Sequence, residues 1–290
     1  MTNTPDFSQA ARLAGIEELQ PSARMPVLFV GHGSPMNAIE DNAYRQSWSQ
    51  LGQQLLARTE RPQLILCISA HWITQGGSYV TGMAQPKTIH DFGGFPQELY
   101  AQQYPAPGAP MLAQHLAEEL RMPHTGHALG VDTHEWGLDH GTWSVLKPMF
   151  PDADIPVVQL SMDYSRPPGE HFALGQQLRS LRDRGVLIVG SGNVVHNLRA
   201  VQRTQSPSQT YDWAAEFDQM VTDHVTRQNL AGLVDFQALG AVAQLAHPTY
   251  DHYLPLLYAA AAVQGAEEAR FFNADFQMAS ISMRSMVWGA

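Results

Sequence analysis

Hydrophobic positions in this chain gather into short unbroken runs separated by longer amphipathic stretches. The runs fall at 27–30 (Val-Leu-Phe-Val), 63–70 (Gln-Leu-Ile-Leu-Cys-Ile-Ser-Ala), 156–162 and 186–190 (Val-Leu-Ile-Val-Gly). Runs this short, rich in β-branched residues and with little polar alternation, predict strands buried on both faces, as in a parallel sheet. Between the first two, Tyr44, Trp48, Leu51, Leu55 and Leu56 recur at helical spacing over 42–58. Comparable helical patterns occupy 111–122, 142–150, 169–184, 211–228 and 230–239, and an alanine-rich one reaches about residue 265. Strand, helix, strand in that order predicts right-handed crossovers and parallel pairing. Weaker strand patterns lie at 78–81 and in the alternations of 269–288. With no internal repeat, low-complexity tract or linker, the pattern predicts one α/β domain over 26–290, a central mostly parallel sheet flanked by helices. Residues 1–25, polar and weakly patterned, read as a loosely held N-terminal extension.

Three of these runs deliver a histidine at the same edge of the predicted sheet. The first passes into Gly31-His32-Gly33-Ser34-Pro35, the second into His71-Trp72, and the fourth through Ser191-Gly192 to His196. Ligands of open α/β sheets bind just beyond the carboxyl ends of the strands, so these histidines are candidate ligands of one metal site there. His247-Pro-Thr-Tyr-Asp-His252 offers a further ligand near a helix start; its five-residue spacing leaves open which histidine binds metal and which meets substrate. By contrast, His115, His171 and His224 sit among polar neighbours in helical patterns and read as solvated.

Composition narrows the chemistry. The chain has 290 residues and 44% hydrophobic content, enough for a substantial core. A net charge of −10 lacks the basic surface that nucleic acid requires. The single cysteine, Cys67, lies inside a strand pattern, which excludes disulfides and cysteine-zinc sites within the chain. No apolar run is long enough to cross a bilayer and no signal-peptide pattern opens the chain, so the expected compartment is the cytoplasm. Without thiolates, a histidine set suits catalytic zinc or non-haem iron. The segment 132–141, Asp-Thr-His-Glu-Trp-Gly-Leu-Asp-His-Gly, lacks zincin spacing and reads as a loop. Serine-hydrolase, phosphate-loop and dinucleotide-binding motifs are absent. The proline- and glycine-rich stretch 86–110, with Phe92 and Phe95, reads as a loop covering a site, and Trp136 and Trp143 are further candidates to wall a flat ring.

Taken together, Gly31-His32-Gly33-Ser34-Pro35, Ser69-Ala70-His71-Trp72, Asp139-His140-Gly141, 190–197 (Gly-Ser-Gly-Asn-Val-Val-His-Asn) and His247-Pro248-Thr249-x-x-His252 resemble the class III extradiol ring-cleaving dioxygenases, in particular the 4,5-DOPA dioxygenase type. The resemblance covers about residues 26–288. It implies a mononuclear metal at the strand ends that binds a small catechol through both hydroxyls, and ring opening by O2 outside that pair. It assigns His32, His71 and His247 to the metal and His140 and His252 to the pocket, and makes His196 either acid/base or ligand. The wider class binds Fe(II) with two histidines and a glutamate, whereas this chain offers histidines throughout. Fe(II) is expected for catalysis and Zn(II) is also compatible.

A catechol's first proton must leave as it chelates, and a histidine with a near-neutral pKa suits that step; His196 is the candidate, with His140 a second catalytic residue. The alternatives are a zinc-dependent hydrolase or amidase using bound hydroxide, and a non-catalytic metal-binding scaffold. No residue specifies the ring substituent or the oligomeric state.

Overall fold

In the computed structural model, which describes residues 19–202 and 210–290, the first apolar run forms β1 (Val27–Gly31) and opens into the His32 loop. A 3-10 turn at Pro35–Ala38 leads to α1 (Ala43–Leu56). Its start is fixed by Asn42, whose side chain accepts from the Arg45 amide, one of the N–H groups a first helical turn leaves unpaired. β2 (Leu64–Thr74) and β3 (Tyr79–Thr81) follow. The 86–110 stretch contains one turn of helix, α2 (Gln97–Tyr100), before α3 (Pro110–Glu119). Next come β4 (Gly130–Asp132), α4 (His140–Met149), β5 (Val157–Asp163), α5 (Pro168–Gln177) and β6 (Val186–Gly192). The last third holds α6 (Asp212–Thr226), α7 (Ala241–Ala246), α8 (Leu254–Ala261), β7 (Ala269–Phe272), β8 (Phe276–Gln277), β9 (Ile281–Ser282) and β10 (Ser285–Trp288).

Among the described residues, eight strands form one sheet in the order β4-β3-β5-β2-β6-β1-β10-β7, and β8 pairs with β9 in a separate ribbon. The central strands β5, β2, β6 and β1 are parallel. The direction reverses at β3 on one side and at β10 on the other. The result is a single α/β domain with helices on both faces.

The period-2 geometry of a strand divides each apolar run between two cores. Val27, Phe29, Leu64, Leu66, Val186 and Ile188 pack on the side of α3, α5, α6 and α8. Leu28, Val30, Ile65, Cys67, Leu187 and Val189 pack against α1 and α4. Each fully buried aliphatic contributes roughly 1.5–3 kcal/mol. A one-residue slip would exchange the two sets, so the register that carries the histidines is fixed by packing on both faces.

Three features differ from the pattern. β2 runs on to Thr74 instead of ending at 70, because its pairing with β5 jumps from Ile68↔Leu160 to Ile73↔Met162. The extra residues bulge from the ladder, and His71 is one of them. Residues 230–239 form a 3-10 segment with a kink at Asp235 in place of an α-helix. In the expected N-terminal extension, residues 20–25 are tied to the body: Gln63 Nε2 donates to the Gln20 carbonyl, the Met25 amide to the Arg182 carbonyl, and Arg24 pairs with Asp183. Residues 1–18 of it lie outside the described residues. No helix among the described residues is long and apolar enough to cross a membrane.

Candidate metal centre and active site

His32 leaves the end of β1, His71 leaves the β2 bulge, and His252 is brought in by the turn before α8. One ring nitrogen from each lies within 4.8 Å of the other two, and the Nε2 atoms of His32 and His71 are 3.2 Å apart. His252 reaches this place because the end of β6 presents no side chain to its backbone. A Cβ on Gly192 would collide with the His252 carbonyl oxygen, while the Asn193 amide donates to that same oxygen at 2.9 Å.

The hydrogen bonds around the three rings decide their tautomers. Ser191 Oγ donates to the Gly141 carbonyl at 2.5 Å, which uses its only proton, so it accepts from His32 Nδ1 at 3.0 Å. His252 Nδ1 lies 2.6 Å from Asp251 Oδ2, and His71 Nδ1 faces Asp91 Oδ2 at 3.4 Å. The hydrogen bonds at His32 and His252 Nδ1 and the carboxylate facing His71 Nδ1 favour an N–H there, which leaves each Nε2 with a lone pair, and those of His32 and His71 face one another. Lone pairs crowded this closely repel unless a cation lies between them, and outer-layer carboxylate or hydroxyl partners are what metal-bound histidines commonly have. Burial, followed by the neighbouring imidazoles, lowers the pKa of His32 and His252 well below the usual histidine range; burial and His140 lower that of His71 to about 3. All three are therefore neutral at pH 7, the form a metal binds. The donor set fits one divalent ion.

His140 begins α4, and Asp139 fixes where that helix starts. Asp139 Oδ1 accepts from the Thr142 amide and from Ser69 Oγ, and Oδ2 accepts from Gln159 and Trp136. Ser69 Oγ also accepts from the His71 amide at 3.2 Å. One buried carboxylate thus joins the β2 bulge, the start of α4 and β5. The His140 ring lies 3.8 Å from the His71 ring, centroid to centroid, and its Nδ1 is 2.9 Å from Asp91 Oδ2. His71, Asp91 and His140 form a second close group of possible ligands. Burial pushes the Asp91 carboxyl up, but hydrogen bonding and charge from His140, with the charge of His71, outweigh that and leave it below the usual range.

His196 lies against His252, ring on ring, outside both groups; burial lowers its pKa to about 4, below the near-neutral value expected of it, which makes it a weaker base than a free imidazole. The structure departs from the sequence pattern at the 247–252 pair. His247, expected at the metal, caps α7 with Nε2 2.7 Å from the Val194 carbonyl and its ring among Phe217, Phe236 and Tyr253. His252, expected in the pocket, stands beside His32 and His71. The bend at 248–249 and the turn at 251–253 separate the two rings, and the Val194 carbonyl holds the ring of His247 while the Asn193 amide holds the backbone of His252. His171, read as solvated, is buried with Nδ1 on the Tyr258 hydroxyl at 3.0 Å.

Of the aromatic candidates, Phe92 packs edge-on against His140 at 5.4 Å and Phe95 against Phe92. Trp136 stacks on Trp72, and Trp143 is fully buried with Nε1 donating to the Ile89 carbonyl, a core position. Asp91, Asp251 and Ser191 escaped selection as site residues. An acid directly before His252 and another inside a long loop were the available signals.

A family model described as the catalytic LigB subunit of aromatic ring-opening dioxygenase matches residues 26–287. A 4,5-DOPA dioxygenase extradiol of Escherichia coli (strain K12) is 48% identical over 278 residues, covering 93% of this chain and 97% of that protein. One from Beta vulgaris is 36% identical over 228 residues, covering 79% and 83%. A crystal structure of an uncharacterized protein from Escherichia coli K12 aligns with a TM-score of 0.77 at 44% identity, over 92% of this chain and all of that one. The family match takes in all of the sheet but the last residue of β10 and every histidine described above, and the chain belongs to the LigB family of aromatic ring-opening dioxygenases, as an extradiol ring-opening enzyme.

Proposed function

We propose that the protein opens the ring of a small, DOPA-like catechol with O2, using one divalent metal ion held by His32, His71 and His252. The observation that carries this reading is the set of three neutral imidazoles whose Nδ1 atoms face oxygen partners and of which one ring nitrogen each lies within 4.8 Å of the others. When bound, Fe(II) would supply a chelation point for the catechol oxygens and the redox chemistry that O2 requires; zinc, which an all-histidine set also holds, lacks the latter.

The chain's own residues then have distinct tasks. His196, neutral and packed against His252, takes the first catechol proton on a ring nitrogen as the substrate chelates, and returns it as the ring opens. His140, held at its backbone amide by Asp91, whose Oδ2 also lies 2.9 Å from its Nδ1, directs its remaining ring nitrogen to the substrate. Phe92, with Phe95 behind it, covers that side of the pocket and keeps water out. The substrate is a free small molecule, and the buried free thiol of Cys67 accords with a reducing cytoplasm. A zinc hydrolase is the less favoured reading, since the curated relatives named above are dioxygenases.

The test is anaerobic reconstitution with Fe(II) or Zn(II), followed by a catechol panel with O2 uptake recorded. One O2 consumed per catechol opened, with Fe(II) and not with Zn(II), is expected. Absence of uptake with every catechol, together with amide or ester hydrolysis by the zinc form, would overturn the reading.

A further inference from the structure

We propose that Asp91 is a positioning residue whose single carboxylate orients the His71 and His140 rings together and latches the 86–110 loop onto the site. The inference rests on the reading of His71 as a metal ligand, and it extends that reading to what makes the site form.

The loop is anchored at its ends without Asp91. The Ile89 amide donates to the Leu138 carbonyl, and Tyr104 is buried with its hydroxyl on the Phe150 carbonyl. Between Ile89 and α2 the chain crosses the start of α4 and then exposes Gly93 and Gly94, where even a Cβ would meet nothing within 4 Å. Asp91 ties this crossing down through its carboxylate, beside the packing of Phe92 on His140. Its Oδ1 accepts from the His140 amide at 2.9 Å, while its Oδ2 faces His140 Nδ1 at 2.9 Å and His71 Nδ1 at 3.4 Å. A carboxylate oxygen only accepts, and its charge favours an N–H over a lone pair on each Nδ1 that faces it, which leaves Nε2 bare. The two rings cannot easily move apart from one another, because Gly141 is wedged where a Cβ would strike Ser69 Oγ and the His71 ring. A loop lifted off α4 therefore removes the oxygen that sets the tautomer and orientation of both rings.

The asparagine variant isolates this effect. Asp91→Asn keeps the shape and an acceptor for the His140 amide, but it places an NH2 group against both Nδ1 atoms and favours the tautomer with Nε2 protonated. Full-length wild type, Asp91→Asn, Asp91→Ala and His71→Ala would be compared by equilibrium dialysis with Zn(II), by the visible bands of the Co(II)-loaded form, and by chymotrypsin cleavage after Phe92, which Gly93 follows, in metal-free protein. Both Asp91 variants should bind Zn(II) about 10- to 100-fold more weakly at unchanged stoichiometry, with altered Co(II) bands. Asp91→Ala should also be cut faster at the loop. Wild-type affinity and bands in Asp91→Asn, or a wild-type cutting rate in Asp91→Ala, would overturn the proposal. Should wild type itself take up no metal, the metal reading fails on its own, and the metal-free cutting rates alone decide the role of Asp91.

Discussion

His196 and His252 stack with their ring centroids 3.5 Å apart and their planes 5° apart. Rings laid face to face direct their nitrogens side by side, so His196 shares the pocket of His252 while standing outside the group of three converging nitrogens. A proton carrier beside the metal fits this better than a fourth ligand. His196→Gln is therefore expected to retain metal and bind catechol, yet to lose rate by about 10² to 10⁴, the usual contribution of a positioned proton-transfer group. Metal stoichiometry measured beside single-turnover ring cleavage checks this. A metal-free variant would assign His196 to the ligand set instead.

The 247–252 pair offers a contrast within one turn. His252→Ala should lose bound metal while staying folded, as should His32→Ala and His71→Ala. His247→Ala should keep metal at the wild-type ratio but lose roughly 2–4 kcal/mol of stability, since it removes a buried ring packed on Phe217 and Tyr253 and a hydrogen bond to Val194. Metal analysis and urea unfolding of the two variants separate them. Metal loss in His247→Ala with metal retained in His252→Ala would reverse the assignment.

The sheet was legible because its central strands are buried on both faces and read as continuous apolar runs, and because a strand that ends in Gly-His-Gly announces a loop with work to do. His32 and His71 follow directly from that. The exchange of His247 and His252 was not legible, because spacing alone does not say which way a turn runs, and residues 247–252 are held by Asn193 and Val194, just past β6 and more than 50 residues earlier in the chain. Asp91 was hidden for the same reason: its partners His71 and His140 lie on β2 and α4, on either side of it in the chain. The β2 bulge carries no local signal either, since its register against β5 is a property of two strands.

Two histidines remote from the metal give a pH dependence with a definite sign. Burial lowers the pKa of both His171 and His247 to about 4, against 6.5 in the unfolded chain. Between these values the unfolded state binds the extra protons, so the stabilising effect of keeping each ring neutral is present above about pH 6.5 and is lost as pH falls toward 4. From pH 7 to pH 5 each is expected to cost roughly 2 kcal/mol. Urea unfolding of metal-free protein at the two pH values reads these two together with the buried rings of His32, His71, His196 and His252, and the part of the dependence lost in His171→Gln isolates His171. Equal stability at pH 5 and pH 7 would show that the rings are not held neutral.

The hydroxyl of Ser191 links two parts of the site that no covalent neighbour joins. It donates to the Gly141 carbonyl at the start of α4 and accepts from His32 Nδ1. Removing it leaves a buried Nδ1–H and a buried carbonyl without this partner, and it removes the constraint that keeps His32 Nε2 bare. Ser191→Ala is accordingly expected to weaken metal binding about 10- to 100-fold, as loss of an outer partner of a ligating histidine does, and to destabilise the fold by about 1–3 kcal/mol. Ser144 supplies the control: it is a buried serine on α4 whose hydroxyl has no hydrogen-bond partner among the described residues. Its replacement by alanine strands nothing and should leave both metal affinity and stability close to wild type. Zn(II) dialysis and urea unfolding of the two variants give the comparison. If Ser191→Ala binds metal as tightly as Ser144→Ala, the tautomer of His32 is not set by Ser191, and the orientation of that ring must come from packing alone.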